Sequence, residues 1–102
     1  MSTEFDDIKK EFDKNVAEVL PFFPGDLGAS LGILNHMCGG KPQRHRLQFL
    51  LTGCEHVTEM TDGHKWALIR MVLPVKFEGK WMATFPELLK SRINIILAQI
   101  SK

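Results

Sequence analysis

The sequence predicts a small α+β domain in the order helix, helix, antiparallel β-meander of two or three strands, helix, with the helices on one face of the sheet. Three observations support this: two amphipathic segments near the N-terminus, two glycine-containing turns between apolar runs, and a strongly patterned apolar segment at the C-terminus. The chain has 102 residues, 44% hydrophobic and 25% charged, which is typical of one globular domain spanning residues 1–102. This length excludes a TIM barrel or a full dinucleotide-binding fold, which need about twice as many residues.

Residues 3–20 predict an amphipathic helix, because apolar side chains recur at steps of three and four and stack on one face. These side chains are Phe5, Ile8, Phe12, Val16, Val19 and Leu20. We expect Ser2 or Thr3 to cap this helix and Pro21 to end it. The Pro-Phe-Phe-Pro segment that follows is stiff and apolar, and it either covers the core or forms an exposed docking patch.

Residues 26–38 predict a second, shorter helix. Asp26 is suited to cap its N-terminus, and Gly39-Gly40 is suited to end it. Its shared apolar face consists of Leu27, Leu31, Leu34 and Cys38. The next segment, Lys-Pro-Gln-Arg-His-Arg at residues 41–46, is interpreted as a basic loop.

Residues 46–60 fit two patterns. A helix would place Leu47, Leu50, Leu51, Cys54 and Val57 on one face, whereas a strand would place Leu47, Phe49 and Leu51 on one face with Gly53 as a bulge. The sequence Thr61-Asp62-Gly63 favours the strand, because Asp-Gly between two apolar runs is a common hairpin turn. The partner strand would then be residues 64–73. A helix at residues 46–60 would instead make the protein mostly α.

The last third of the chain predicts a short hairpin and a helix. Residues 75–77 and 81–83, separated by Glu78-Gly79-Lys80, are expected to form a second, shorter hairpin or the third strand of the meander. The sequence Thr84-Phe85-Pro86-Glu87 has the form of a capping box, in which Thr84 and Glu87 bond each other's backbone amides. The expected buried face of this helix consists of Leu88 or Leu89, Ile93, Ile96, Leu97 and Ile100.

The sequence predicts a cytoplasmic protein, and without a Gly-rich phosphate loop or a dinucleotide fingerprint it predicts no cofactor. The N-terminus lacks the basic and apolar regions of a secretory signal, and no apolar run reaches the roughly 18–20 residues of a membrane span. Two cysteines are too few for a disulfide framework.

The net charge of +1 hides an asymmetry, because residues 1–26 carry seven acids and three lysines whereas the remainder carries ten bases and five acids. Such a charge dipole steers the association of a charged partner.

One motif is typical of a catalytic serine and another of a zinc site, but the sequence context argues against both functions. Gly28-Ala29-Ser30-Leu31-Gly32 has the form of a nucleophile elbow with Asp62 and His64 downstream, yet no strand precedes Ser30. Zinc prefers imidazole and thiolate ligands, and two His/Cys pairs supply four of them at a spacing that no standard zinc module uses. These candidate metal ligands are His36, Cys38, Cys54 and His56. We therefore expect neither a catalytic serine nor a metal site.

The leading functional hypothesis is a non-catalytic protein that binds and occludes a protein partner, as an inhibitor or adaptor. Seven Phe, two Trp and five Met are many for so small a core, and aromatic residues and Met are enriched at interfaces. The expected anchors are Phe22, Phe23, Trp81 and Phe85, with steering charges at Asp6, Asp7 and Glu11. Homodimerisation through a strand edge or the C-terminal helix is compatible with this hypothesis, and membrane binding is not expected.

The alternative hypothesis is a nucleic-acid-binding accessory protein that uses the basic 41–46 loop. Its candidate residues are Lys41, Arg44, His45 and Arg46, although the pI of 7.8 is lower than that of most such domains. A small metal- or serine-dependent enzyme is a third and more distant alternative. A short chain without catalytic motifs is also typical of accessory proteins that phages and other mobile elements encode.

Overall fold

The computed structural model describes residues 4–101, in which the chain forms five α-helices, one short 3-10 helix and one β-hairpin. The elements in chain order are α1 (Glu4–Ala17), α2 (Leu27–Cys38), α3 (Lys41–Thr52), the 3-10 helix (Val57–Glu59), α4 (Asp62–Val72), β1 (Pro74–Phe77), β2 (Lys80–Ala83) and α5 (Pro86–Ile100). The predicted α+β class is confirmed, with more of the chain helical than the sequence indicated. No helix within residues 4–101 has both the length and the apolar character needed to cross a bilayer.

The first helix is shorter than predicted. Phe12 is buried and Phe5, Ile8 and Val16 pack against the core, as the pattern indicated. The helix ends at Ala17, however, and Val19 and Leu20 are exposed rather than on the buried face. The physical reason is that Pro21 has no N–H to donate to the Ala17 carbonyl, with which its ring would clash in a helix, and also disfavours helical backbone at Leu20. The predicted caps Ser2 and Thr3 lie outside the described residues.

The second helix is confirmed at both ends. The Asp26 carboxylate accepts a hydrogen bond from the backbone N–H of Ala29 at 2.8 Å, which satisfies one of the free amides of the first turn. Gly39 ends the helix in the left-handed conformation at φ 85°. Leu34 and Cys38 of the predicted face are buried, and Leu27 and Leu31 are partly buried.

The predicted basic loop at residues 41–46 and the strand that followed it are wrong, because residues 41–52 form α3. Leu47 and Leu51, one helical turn apart, are both buried, whereas Phe49 between them is 52% exposed. A strand would have put these three side chains on one face. The chain therefore adopts the helical alternative, and Gly53 is a left-handed helix cap at φ 76° rather than a bulge.

The predicted hairpin turn at residues 61–63 and the strand at residues 64–73 are also wrong. Thr61 caps α4: its hydroxyl accepts from the His64 N–H at 3.2 Å, and the His64 ring Nδ1 accepts from the Thr61 N–H at 3.3 Å. The helix packs against α1 and α2 and is crossed by the α1–α2 connector, so that Trp66, Ala67, Leu68 and Ile69 are all buried. A helix covered on several sides has a continuous apolar run, which resembles that of a central strand.

The predicted short hairpin at residues 75–83 is confirmed. Val75 pairs with Met82 and Phe77 with Lys80, which leaves a two-residue loop. Both loop residues have positive φ, 49° at Glu78 and 78° at Gly79, as a type I′ turn requires. This two-stranded antiparallel sheet packs through β2 against α2 and α5.

The C-terminal helix is confirmed, but its predicted capping box is wrong. Leu89, Ile93 and Ile96 are buried along one face, and the exposed residue of the Leu88/Leu89 alternative is Leu88. Phe85 occupies the N-cap position without a side-chain cap. The Thr84 hydroxyl instead donates to the carbonyl oxygen of Leu73, and so joins the start of α5 to the end of α4.

The centre of the core lies among α2, α3, α4 and α5. Its fully buried apolar side chains are Leu34, Leu47, Leu51, Leu68, Ile69, Ile93 and Ile96. Two polar side chains, Ser30 and Gln48, are buried as completely. Buried polar groups need hydrogen-bond partners, so Ser30 and Gln48 show where hydrogen bonds must form inside the core.

Candidate functional site

The junction between β2 and α5 exposes four large apolar side chains. Within residues 81–88, Trp81, Met82, Phe85 and Leu88 are each 42–62% exposed. We call these four residues the junction ridge. Single exposed apolar residues are normal on a protein surface, whereas a contiguous group is typical of an interaction site.

A groove of about 480 Å³ lies on one side of the junction ridge, between α2 and the hairpin. Its walls are largely apolar and include Gly32, Ile33 and Met37 of α2 together with Trp81 and Met82. At Gly32 no atom lies within 4 Å of the position that a Cβ would take, so this glycine leaves open space. We call this the hairpin groove, and it is wide enough for an apolar side chain of a partner.

A smaller groove, of about 170 Å³, lies on the other side of the ridge between α1, α4 and α5. Leu73, Phe85 and Leu88 give it an apolar part, and Glu11 and Arg92 give it a charged part. The Glu11 carboxylate lies 3.2 Å from the Arg92 guanidinium. The structure thus brings together Glu11 and Phe85, two residues that the sequence predicted for protein binding.

The other predicted anchors lie apart from these grooves. Phe22 is 68% exposed in the connector between α1 and α2, and the Phe23 ring lies with its centroid 6.4 Å from that of Trp66 on α4. Asp6 and Asp7 are exposed at the start of α1. The predicted set of binding residues is therefore divided between the junction ridge with its grooves, the connector, and the first turns of α1.

The basic segment on α3 does not present all its cations to solvent. Arg44 is only 5% exposed and donates three hydrogen bonds: Nε to Asn35 Oδ1 at 2.8 Å, Nη1 to Gln48 Oε1 at 2.6 Å and Nη2 to His45 Nε2 at 3.4 Å. Its guanidinium is thus a structural group and is not available to a phosphate. Lys41 and Arg46 remain exposed.

The network around Arg44 continues to the loop after α3. His45 Nδ1 donates to the carbonyl oxygen of Glu55 at 3.3 Å. The Gln48 amide donates to the carbonyl oxygens of Cys54 and Glu55, both at 3.3 Å. A buried arginine, two polar side chains of α3 and one of α2 thus hold residues 54 and 55 in place.

Burial also shifts the pKa values of Arg44 and of the nearby Cys38. Burial lowers the pKa of Arg44, although the nearby Cys38 opposes this effect. Burial raises the pKa of the Cys38 thiol to about 11, against a smaller opposing effect of the Arg44 charge. Cys38 is therefore a protonated thiol at neutral pH, which makes it a poor nucleophile and a poor metal ligand.

The four candidate metal ligands are not gathered into a site. Cys38 is buried beside Arg44, His36 lines the hairpin groove, and His56 lines a different groove beside α3. Cys54 has its Sγ 4.0 Å from Nδ1 of His64, which the sequence had not placed in the metal set. Within residues 4–101 no group of three or more His, Cys, Asp or Glu side chains has a geometry that would hold a metal ion.

Ser30 lies inside α2 and is fully buried. Its hydroxyl donates to the carbonyl oxygen of Asp26 at 2.9 Å. Asp62 and His64 lie in the first turn of α4, where His64 participates in the capping box. The serine is thus used to satisfy the helix backbone, as is common for hydroxyl side chains within helices.

Three features of these sites were not predicted from the sequence: the Arg44 network, the exposure of Leu88 and the open space at Gly32. The spacing of Arg44 and Gln48, one helical turn apart and flanking the apolar Leu47 and Leu51, was a signal of the network. A helical reading of residues 41–52 would have placed Arg44 on the buried side. The grooves had no sequence signal, since they arise between elements distant in the chain.

Comparison of the chain with models of protein families, with curated proteins and with solved structures gives no match.

Proposed function

We propose that this protein is a non-catalytic binding protein that docks onto a protein partner through the junction ridge. The supporting observation is that these exposed apolar side chains line two grooves: Trp81 and Met82 line the hairpin groove, and Phe85 and Leu88 line the groove between α1, α4 and α5. Aromatic residues and Met are the side chains most enriched at the centres of interfaces, where they fill pockets of the partner and exclude water.

The surroundings of the ridge also resemble an interface. Apolar side chains lie at its centre, and the charged pair of Glu11 and Arg92 borders it on the α1 side. Interfaces typically have an apolar core and a polar rim, and the rim charges mainly accelerate association and select partners. The hairpin groove supplies a concave surface beside the convex ridge, so that a partner side chain can insert there.

Neighbouring elements hold the ridge in place. Thr84 ties the junction to Leu73, β2 packs on α2, and α5 enters the core through Leu89 and Ile93. A rigid, pre-formed apolar surface loses little conformational entropy when it binds. We infer that the protein acts by covering a surface of its partner rather than by changing it chemically.

The test compares two phenylalanines that are equally exposed. Phe85, in the ridge, and Phe77, at the tip of β1, are both 62% exposed. Partners captured from a lysate of the source organism are identified, purified and titrated with wild type, Phe85→Ser and Phe77→Ser. We expect Phe85→Ser to weaken the affinity by at least about tenfold and Phe77→Ser by less than about twofold.

A second variant tests the hairpin groove without removing any contact within the protein. Gly32→Leu fills the open space on α2 and is expected to weaken partner binding while the thermal stability is kept. Equal effects of Phe85→Ser and Phe77→Ser, or capture of no stoichiometric partner, would contradict the proposal. Unchanged binding by Gly32→Leu would restrict the interface to the ridge itself.

A further inference from the structure

A third groove, of about 670 Å³, lies between α3, the loop after it and the end of α5. Its apolar part is formed by Phe49, Leu50 and Ile100, and Phe49 is 52% exposed although it is a large aromatic residue. We call this the α3 groove. Its volume falls within the roughly 300–1,000 Å³ of sites for small molecules.

The charges around the α3 groove leave an excess of positive charge. Arg46 and Glu55 both line the groove and cancel each other in formal charge. The buried Arg44 lies directly behind His45, which also lines the groove, and donates to its Nε2 at 3.4 Å. None of the ion pairs among residues 4–101 involves Arg44. Its hydrogen-bond partners are the side-chain amides of Asn35 and Gln48 and the ring of His45, and none of these carries a negative charge.

A buried charge without a counter-charge is costly, and its field extends further than that of a solvated charge. The His45 ring lies between Arg44 and the loop after α3, with its Nε2 3.4 Å from Arg44 Nη2 and its Nδ1 3.3 Å from the Glu55 carbonyl oxygen. The groove wall therefore has behind it a positive charge that forms no ion pair among residues 4–101. Such a wall, next to an exposed aromatic ring, is complementary to an anion with a flat apolar body.

We propose that the α3 groove binds a small amphipathic organic anion, with the apolar body of the ligand on Phe49 and its carboxylate or phosphate at Arg46. This inference is independent of the protein-binding proposal, because the α3 groove shares no lining residue with the junction ridge or its two grooves. His56 at the edge of the groove supplies a further hydrogen-bond donor for the anion. The other three metal candidates and the buried Ser30 do not line this groove.

The experiment titrates the whole protein with 2-naphthoate and with its uncharged counterpart 2-naphthalenemethanol, followed by amide NMR shifts. We expect the naphthoate to bind more tightly by about tenfold, with shifts concentrated in α3 and residues 54–56. Equal affinity for the two compounds, or shifts concentrated at the junction ridge, would overturn the proposal.

Three single-charge variants make the test specific. Arg46→Gln is expected to reduce naphthoate affinity by about tenfold and to leave the alcohol unaffected, whereas Glu55→Gln is expected to tighten naphthoate binding a few-fold. Lys90→Gln removes the same charge from an exposed site on α5 outside the groove lining, and we expect no change. Weaker binding by Glu55→Gln, or an equal effect of Lys90→Gln and Arg46→Gln, would contradict an anion at this position.

Two competitors separate a free small molecule from larger anionic partners. Vesicles of phosphatidylglycerol and a single-stranded dodecathymidylate are added to the naphthoate complex, and neither is expected to displace the ligand. Displacement by the vesicles would assign the groove to a lipid surface. Displacement by the oligonucleotide, together with a steep salt dependence, would assign it to nucleic acid. Either result overturns the small-molecule proposal.

Discussion

Gly63, in the first turn of α4, packs directly against the backbone of Val16 near the end of α1. A Cβ on Gly63 would lie 2.4 Å from the carbonyl oxygen of Val16 and 2.9 Å from its Cγ1. Only a glycine therefore allows α1 and α4 to approach as closely as they do. The residue that resembled part of a hairpin turn in the sequence is instead a contact point between two helices.

We predict that Gly63→Ala destabilises the protein by about 3 kcal/mol, because two backbones must move apart to admit the methyl group. The same substitution at Gly32 is the matched control. Nothing lies within 4 Å of a Cβ there, and alanine favours the helix by up to about 1 kcal/mol, so Gly32→Ala should stabilise. Urea denaturation of both variants measures the difference, and a neutral Gly63→Ala would refute the close contact.

We predict that Arg44→Ala and Arg46→Ala differ strongly although the residues are neighbours on α3. Arg44→Ala leaves the buried Gln48 acceptor and the partly buried Asn35 acceptor without a donor and should cost about 3 kcal/mol of unfolding free energy. Arg46 is exposed, and its removal should change stability by less than about 0.5 kcal/mol. Denaturation of the two variants under identical conditions decides this, and equal stabilities would show that the network contributes little.

We predict that the protein loses stability as pH rises from 9 to 11 because of Cys38. Burial raises the pKa of this thiol from 9.0 to about 11, so above pH 9 the folded state holds a proton that the unfolded state has released. The contribution is complete below pH 9 and decreases by roughly 2–3 kcal/mol as pH reaches 11. Other groups titrate here as well, so the measured quantity is the stability difference between wild type and Cys38→Ala. A difference that stays constant across this range would contradict the prediction.

We predict that Thr61→Ala destabilises the protein by about 1 kcal/mol, because the first turn of α4 loses the acceptor for the His64 amide. Thr61→Ser keeps the hydroxyl and should retain most of the stability. Thermal denaturation of these two variants is sufficient. Equal losses in both would show that the methyl group of Thr61, and not its hydroxyl, is what stabilises the helix start.

The sequence by itself predicted those elements that are buried on one side only. In α1, α2 and α5 the apolar residues repeat with the helical period, since one face meets the core and the other meets water. The hairpin was also predicted, because Glu78-Gly79 supplies the backbone conformation that a two-residue turn requires. Trp81 and Phe85 were selected from composition alone, and their role in binding remains a prediction.

Only the tertiary structure determined that α3 and α4 are helices and where the grooves lie. Contacts with several elements remove the one-sided pattern of α4, and the buried face of α3 includes the polar Arg44 and Gln48, which interrupt its apolar period. The grooves form where elements distant in sequence pack together, so no local pattern records them. The physical reason is the same in each case: a local pattern reports how a segment meets water, whereas these features depend on which other segments it meets.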